Sequence, residues 1–182
     1  MTVSTKHRNP SSVFVSWKLL PVMMAMLINP AIAEEMASHG SHVHGEAQLT
    51  FVLDGNEAEI ALVTAAGNIL GFEHKATTPE EQQQQKTQLE MMQGGRWFTV
   101  DAAANCTVVG QDVRIEPDNH GHADLYANFQ LLCQAPLKLE KLQFGLFELA
   151  TGLEVIKAQT LVDGTAGVQK LSATAPVLNL RN

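Results

Sequence analysis

Basic residues and aromatic side chains are both scarce in this sequence. Of 182 residues, 12 are Lys or Arg against 19 Asp or Glu, and aromatics make up 5%. That balance excludes a basic, aromatic-interleaved nucleic-acid face and argues against attraction to anionic lipid. Enzyme signatures are missing as well. There is no His-Glu-x-x-His helix, no Gly-x-Ser-x-Gly elbow and no phosphate-binding loop. Beyond residue 33 no run approaches the ~20 apolar residues a spanning helix needs. Seven methionines invite a copper or nickel reading, but four of them (Met1, Met23, Met24 and Met26) lie before residue 33. Met36, Met91 and Met92 form no Met-rich cluster.

The N-terminus is organised. Lys6, Arg8 and Lys18 make a basic region, Leu19 to Ile32 an apolar one, and Ala31-Ile32-Ala33 a small-x-small step before Glu34-Glu35. This order predicts a secretory signal peptide over residues 1–33, cleaved after Ala33, and no stable membrane insertion afterwards. Residues 34–182 are then one domain, long enough for a real core. The exported part keeps all 19 acids and loses three of the 12 basic residues, so its charge is 9 − 19 = −10. Such a surface is compatible with drawing in cations. The only two cysteines, Cys106 and Cys133, both fall in the exported part. In an oxidising compartment an even pair is expected to form a disulfide rather than a thiolate metal site.

The hydrophobic pattern is mainly that of strands. Val43 to Leu53 alternates, Asp54-Gly55-Asn56 is a hairpin turn and Glu57 to Thr64 returns. Ala65 to His74 reads as a connection. Thr78-Pro79-Glu80-Glu81 is a capped helix start, and the helix should stop at Gly94-Gly95. Its polar middle, Gln82 to Gln85, predicts a surface helix near 78–92 held by Leu89 and Met92. Short strands are expected at Trp97–Val100, Cys106–Val109 and Asp112–Glu116, and a long one at Ala123–Cys133. Leu139–Phe147 is apolar, Glu154–Val162 alternates, Asp163-Gly164 turns, and Val168–Ala173 returns. Val177, Leu178 and Leu180 are apolar enough to dock. The fold class is mainly β, a β-rich α+β domain.

One repeat stands out. His44-Gly45-Glu46-Ala47-Gln48-Leu49 is echoed by His120-Gly121-His122-Ala123-Asp124-Leu125. The echo predicts two related, pseudo-symmetric halves of short antiparallel strands, about 43–110 and 111–180. Side chains alternate along a strand, so His42, His44 and Glu46 should share one face, and His120, His122 and Asp124 the equivalent face. The echo continues weakly, Ala66 to Leu70 against Thr151 to Val155.

Imidazole nitrogen and carboxylate oxygen at alternate positions suit a borderline divalent ion such as zinc. The candidate metal ligands are therefore His42, His44, Glu46, His120, His122 and Asp124, with His44 and His122 expected to bind one zinc, helped by His42 and His120. His74, in Gly71-Phe72-Glu73-His74, is either a further ligand or a turn cap. Glu46, Glu73 and Asp124 are the carboxylates available as a general base, and they are better used as ligands or as partners of ligands. The rival readings are a small zinc metallohydrolase with an open coordination position, a copper- or nickel-handling protein, and an interaction module with solvated histidines.

His42-Val43-His44-Gly45-Glu46-Ala47-Gln48-Leu49, Gly71-Phe72-Glu73-His74, Cys106, His122-Ala123-Asp124-Leu125 and the Cys133-x-x-Pro136 step are similar to a known family. The sequence resembles the zinc-regulated (ZrgA-like) periplasmic zinc-binding proteins of Gram-negative bacteria, once a domain of unknown function. The likeness covers nearly all of residues 38–180. It implies a non-enzymatic periplasmic protein that binds zinc and supports uptake, with a zinc ABC importer or its solute-binding protein as partner. It also implies a pseudo-symmetric β-rich fold with the metal between the halves. One departure is plain: the long His/Asp-rich loop such proteins often carry is reduced here to Glu116-Pro117-Asp118-Asn119-His120-Gly121.

Overall fold

The computed structural model describes residues 43–117, 121–150 and 152–181. The predicted signal peptide and its cleavage point, together with His39, His42 and His120, lie outside the described residues. Two sheets carry the fold. The larger is built from β1 (Glu46–Asp54), β2 (Glu57–Ala65), β4 (Cys106–Pro117), β5 (Ala123–Cys133), β7 (Val155–Val162) and β8 (Thr165–Ser172). The smaller is built from β3 (Phe98–Val100), β6 (Lys141–Phe144) and β9 (Val177–Asn179). Helices are few: α1 (Ala66–Leu70), α2 (Pro79–Gln93) and α3 (Leu146–Leu149). The mainly β class and the surface helix are as expected.

The large sheet runs β4-β5-β2-β1-β7-β8. The two predicted halves therefore share one sheet, with β5 on β2 and β7 on β1. All its pairs are antiparallel except β1–β7, which is parallel. Turn chemistry sets the hairpins. Gly55, at φ 59°, takes the first central position of the β1–β2 turn, where a type II′ turn wants glycine. Asp163 and Gly164 both have positive φ, 48° and 83°, as a type I′ turn between β7 and β8 requires.

Period-two alternation gives each strand an inward face. Ala47, Leu49, Phe51 and Leu53 of β1, Ile60 and Leu62 of β2, and Leu125, Ala127, Phe129 and Leu131 of β5 are buried against the small sheet. Leu142, Phe144 and Leu178 come from the other side. Between the layers sits an aromatic cluster. Trp97 meets Phe98 at 4.9 Å, Phe129 at 5.7 Å and Phe144 at 6.1 Å between ring centroids. The Trp97 indole N–H donates to the Met92 carbonyl at 3.0 Å, so its one polar atom is satisfied and ties the end of α2 into the core. The outward face of the large sheet is polar. It carries an Arg114 guanidinium 4.8 Å over the Tyr126 ring and a Lys157–Glu46 ion pair.

Several boundaries differ from the sequence reading. Strand β1 begins at Glu46, not Val43, because Gly45 turns at φ 80°. The two short strands expected over 106–116 are one strand, kinked by a bulge between Val108 and Gly110. The connection after β2 holds α1, a short turn of helix with no side-chain N-cap and no periodic signature. The weak continuation of the echo does not persist: Ala66–Leu70 is helical, whereas Val155 opens a strand.

Cys106 and Cys133 are direct partners across β4 and β5 and form the expected disulfide, with Cα atoms 3.9 Å apart. Closing a loop over 27 residues stabilises the fold by about 3–4 kcal/mol on a loop-entropy argument.

Phe129 touches both Trp97 and Phe98 and is fully buried. The Phe129→Ala protein should lose about 3–5 kcal/mol of stability, as large-to-small aromatic changes in cores do. Denaturant titration with the disulfide intact measures this, and an unchanged midpoint would place the aromatic cluster outside the cooperative core.

Candidate metal centre

The sheet register brings the two histidine motifs to one place. Strand β2 pairs antiparallel with β1 on one side and β5 on the other, so β1 and β5 run in the same direction. Thr64 is the partner of Ala47 on one side and of Leu125 on the other. Counting back three residues on each strand puts His44 level with His122. Two strand spacings, roughly 10 Å, then separate their backbones. The spatial match is therefore His44 with His122, two residues out of step with the sequence echo, which paired His44 with His120. Both lie just before their strands, so strict alternation does not reach them.

A carboxylate fills the gap. Glu73 Oε2 is 2.6 Å from His122 Nδ1, and Glu73 Oε1 is 3.3 Å from His44 Nδ1. The side chains of His44 and His122 are 79% and 55% exposed, whereas that of Glu73 is 17% exposed. A shielded carboxylate thus sits beneath two imidazoles that solvent reaches. Glu73 arrives there because β2 runs into α1, and α1 ends at Gly71, whose φ of 81° reverses the chain. Its side chain lies across Gly67. A Cβ at Gly67 would stand 2.7 Å from Glu73 Cγ, so only glycine leaves room.

The loop carrying Glu73 is anchored from the other side. The His74 ring packs on Phe72 at 5.2 Å between centroids, and its Nε2 is 2.8 Å from Glu81 Oε1. Glu81 belongs to the predicted capping box of α2, which is formed: Thr78 Oγ1 accepts from the Glu81 N–H and Glu81 Oε2 from the Thr78 N–H. Gln84 donates to the Leu70 carbonyl at 2.6 Å and ties α2 to α1. Adjacent residues thus diverge: Glu73 turns toward the two histidines and His74 toward the helix cap.

The remaining predicted ligands are placed as follows. Glu46 is on β1, its carboxylate 2.6 Å from Lys157 Nζ. Asp124 is buried on β5. His74 contacts the Glu81 carboxylate rather than His44 or His122. His42 and His120 lie outside the described residues. Among the described residues no three His, Cys, Asp or Glu side chains form a ready-made metal cage. The sequence offered Glu73 as a ligand or a partner of ligands, but not its place between His44 and His122. Its importance comes from the path of α1, which had no signature. Gly67, Asn68 and Thr64, which support this corner, were not singled out at all.

The family model described as ZrgA family zinc uptake protein matches residues 41–180. The chain belongs to that family. Its role is accordingly related to zinc uptake. No curated protein matches the chain.

The donor chemistry fits zinc. Two imidazoles and a carboxylate are among its preferred ligands. In a tetrahedral site with bonds of ~2.0–2.1 Å, neighbouring donor atoms lie roughly 3.3 Å apart. The His44–Glu73 separation of 3.3 Å already has that value, while the His122–Glu73 contact of 2.6 Å is a direct hydrogen bond that would have to open.

The helix cap has its own acid response. Hydrogen bonds from the Thr77 and Thr78 amides, then from His74, hold the Glu81 carboxyl down from its ordinary 4.5 to about 2. A folded-state value below the unfolded one means the cap contribution is fully present above about 4.5 and is lost as pH falls through about 2. Thermal melts of wild type and Glu81→Gln should therefore differ at pH above 4.5 and converge toward pH 2. A gap that stays constant over that interval would contradict the cap assignment.

Proposed function

We propose that this is a non-catalytic periplasmic zinc-binding protein that scavenges zinc for uptake. His44, His122 and Glu73 are its core ligands. The observation that carries the reading is the Glu73 carboxylate lying between two imidazole nitrogens from the residues that lead into β1 and β5. A carboxylate holding two Nδ1 atoms is a set of donors that zinc can take over by displacing protons, since only neutral imidazole binds metal. His42 and His120, within two residues of His44 and His122, are the natural sources of further nitrogen ligands. The exposure of both imidazoles favours loading and unloading of a cargo ion over a closed structural site. The acidic surface favours cation capture.

The signal-peptide pattern of residues 1–33 supports export and cleavage after Ala33. Zinc would then pass to a zinc ABC importer or its solute-binding protein. The absence of a nucleophile elbow or a zincin helix from the sequence supports the non-enzymatic reading over a metallohydrolase.

Calorimetric titration with zinc tests the assignment. His44→Ala, His122→Ala and Glu73→Ala should each weaken binding at least about tenfold, roughly 1.4 kcal/mol. Gly67→Ala should weaken it in the same direction without unfolding, since alanine favours the helix while displacing Glu73. If all four proteins bind as tightly as wild type, the site lies elsewhere.

A further inference from the structure

We propose that Asn68 is a positioning residue of the zinc site, whose carboxamide fixes the backbone turn that aims His44 at Glu73. The inference rests on the reading of His44, Glu73 and His122 as ligands. Asn68 is 3% exposed, at the middle of α1. Its Oδ1 accepts from the Gly45 N–H at 2.9 Å. Its Nδ2 donates to the Glu46 carbonyl at 3.1 Å and to Thr64 Oγ1 at 2.9 Å. The Thr64 hydroxyl in turn donates to the same Glu46 carbonyl at 2.9 Å. One side chain thus joins α1, the end of β2 and the start of β1.

The bonds fall where they control His44. The Glu46 N–H donates to the Val43 carbonyl at 3.0 Å, which makes Val43–Glu46 a β-turn with His44 and Gly45 at its centre. Gly45, at φ 80°, occupies the position where a type II turn requires glycine. Its N–H is taken by Asn68, and its carbonyl accepts from the amides of Glu154 and Val155 at 2.8 and 2.9 Å. The two peptides that follow the His44 Cα are therefore each held, the first through its N–H by Asn68 and the second through its carbonyl by Glu154 and Val155. On the opposite flank, Asn68 follows Gly67, the residue over which Glu73 lies. A Cβ at Gly152 would stand 3.1 Å from Asn68 Cα, so the loop before β7 backs the helix closely. Asn68 thus hydrogen-bonds the His44 turn to α1, the helix over which the Glu73 side chain lies.

A core amide that only stabilises the fold would have the same contacts, and the test separates the two roles. Zinc chloride is titrated calorimetrically into the full chain carrying Asn68→Asp, Asn68→Ala or Thr64→Val. Each change is made in wild-type and His44→Ala backgrounds, at a temperature where circular dichroism shows folded protein. Asn68→Asp keeps an acceptor for Gly45 and loses both donors. The expected result is that each Asn68 change weakens zinc binding about tenfold in the wild-type background and less than about twofold when His44 is already absent, because contacting residues couple in such cycles. Thr64→Val, which removes one hydrogen-bond partner of Asn68, should act in the same direction and more weakly. It decides alone if neither Asn68 variant folds. A folded variant that binds zinc like wild type, or an effect of equal size in the His44→Ala background, overturns the proposal. Unchanged binding by His44→Ala itself overturns the ligand assignment on which the proposal stands. That result is distinct because it involves no change at Asn68.

Discussion

Everything at the candidate site depends on the double pairing of β2. Because β2 hydrogen-bonds β1 and β5 antiparallel through the same residues, the beginnings of those two strands are level and face the same end of the sheet. Register is held by burial. A slip of one residue would turn Phe51, Ile60 and Phe129 out of the core and bring their outward-facing neighbours in. The hydrophobic layer that stabilises the domain is thus also what measures the distance between His44 and His122. The disulfide sits at the far end of β5, where it pins β4 to the same ladder.

The second requirement is a carboxylate at the correct height. Helix α1 is too short to be stable alone. It is held by Ile69 and Leu70 in apolar contact, by Asn68 in hydrogen bonds, and by Gln84 from α2. Its left-handed end at Gly71 returns the chain over Gly67 and delivers Glu73. Helix α2 is polar along most of its length and contributes little burial beyond Met92 and Leu89. Its capping residue Glu81 nevertheless holds His74 and so fixes the loop in which Glu73 lies.

How much of this was legible follows from what kind of signal each part carries. The strands were readable because alternation and turn residues act locally, and Ala123–Cys133 matched to the residue. So did the helix start, where Thr78, Pro79 and Glu81 each have a specific bonding role. His44 and His122 were readable as donors from residue type and repetition. The sequence reading already took them as the central pair, although the echo aligns His44 with His120; the ladder through Thr64 gives the physical reason for the offset. Glu46 shared the predicted motif, yet its carboxylate is engaged by Lys157, far away in sequence. Asn68 and Gly67 carried no signal because their roles, a buried amide with its partners satisfied and a missing Cβ, exist only once the chain has crossed back over the sheet.

The central claim is that zinc replaces the hydrogen-bonded contacts among His44, Glu73 and His122. Anomalous diffraction at the zinc edge from crystals of the zinc-loaded protein tests it most directly. The account predicts one zinc peak within about 2.2 Å of a ring nitrogen of both histidines and of a Glu73 oxygen. A structure in which Glu73 still lies 2.6 Å from His122, with zinc bound elsewhere or not at all, would contradict it.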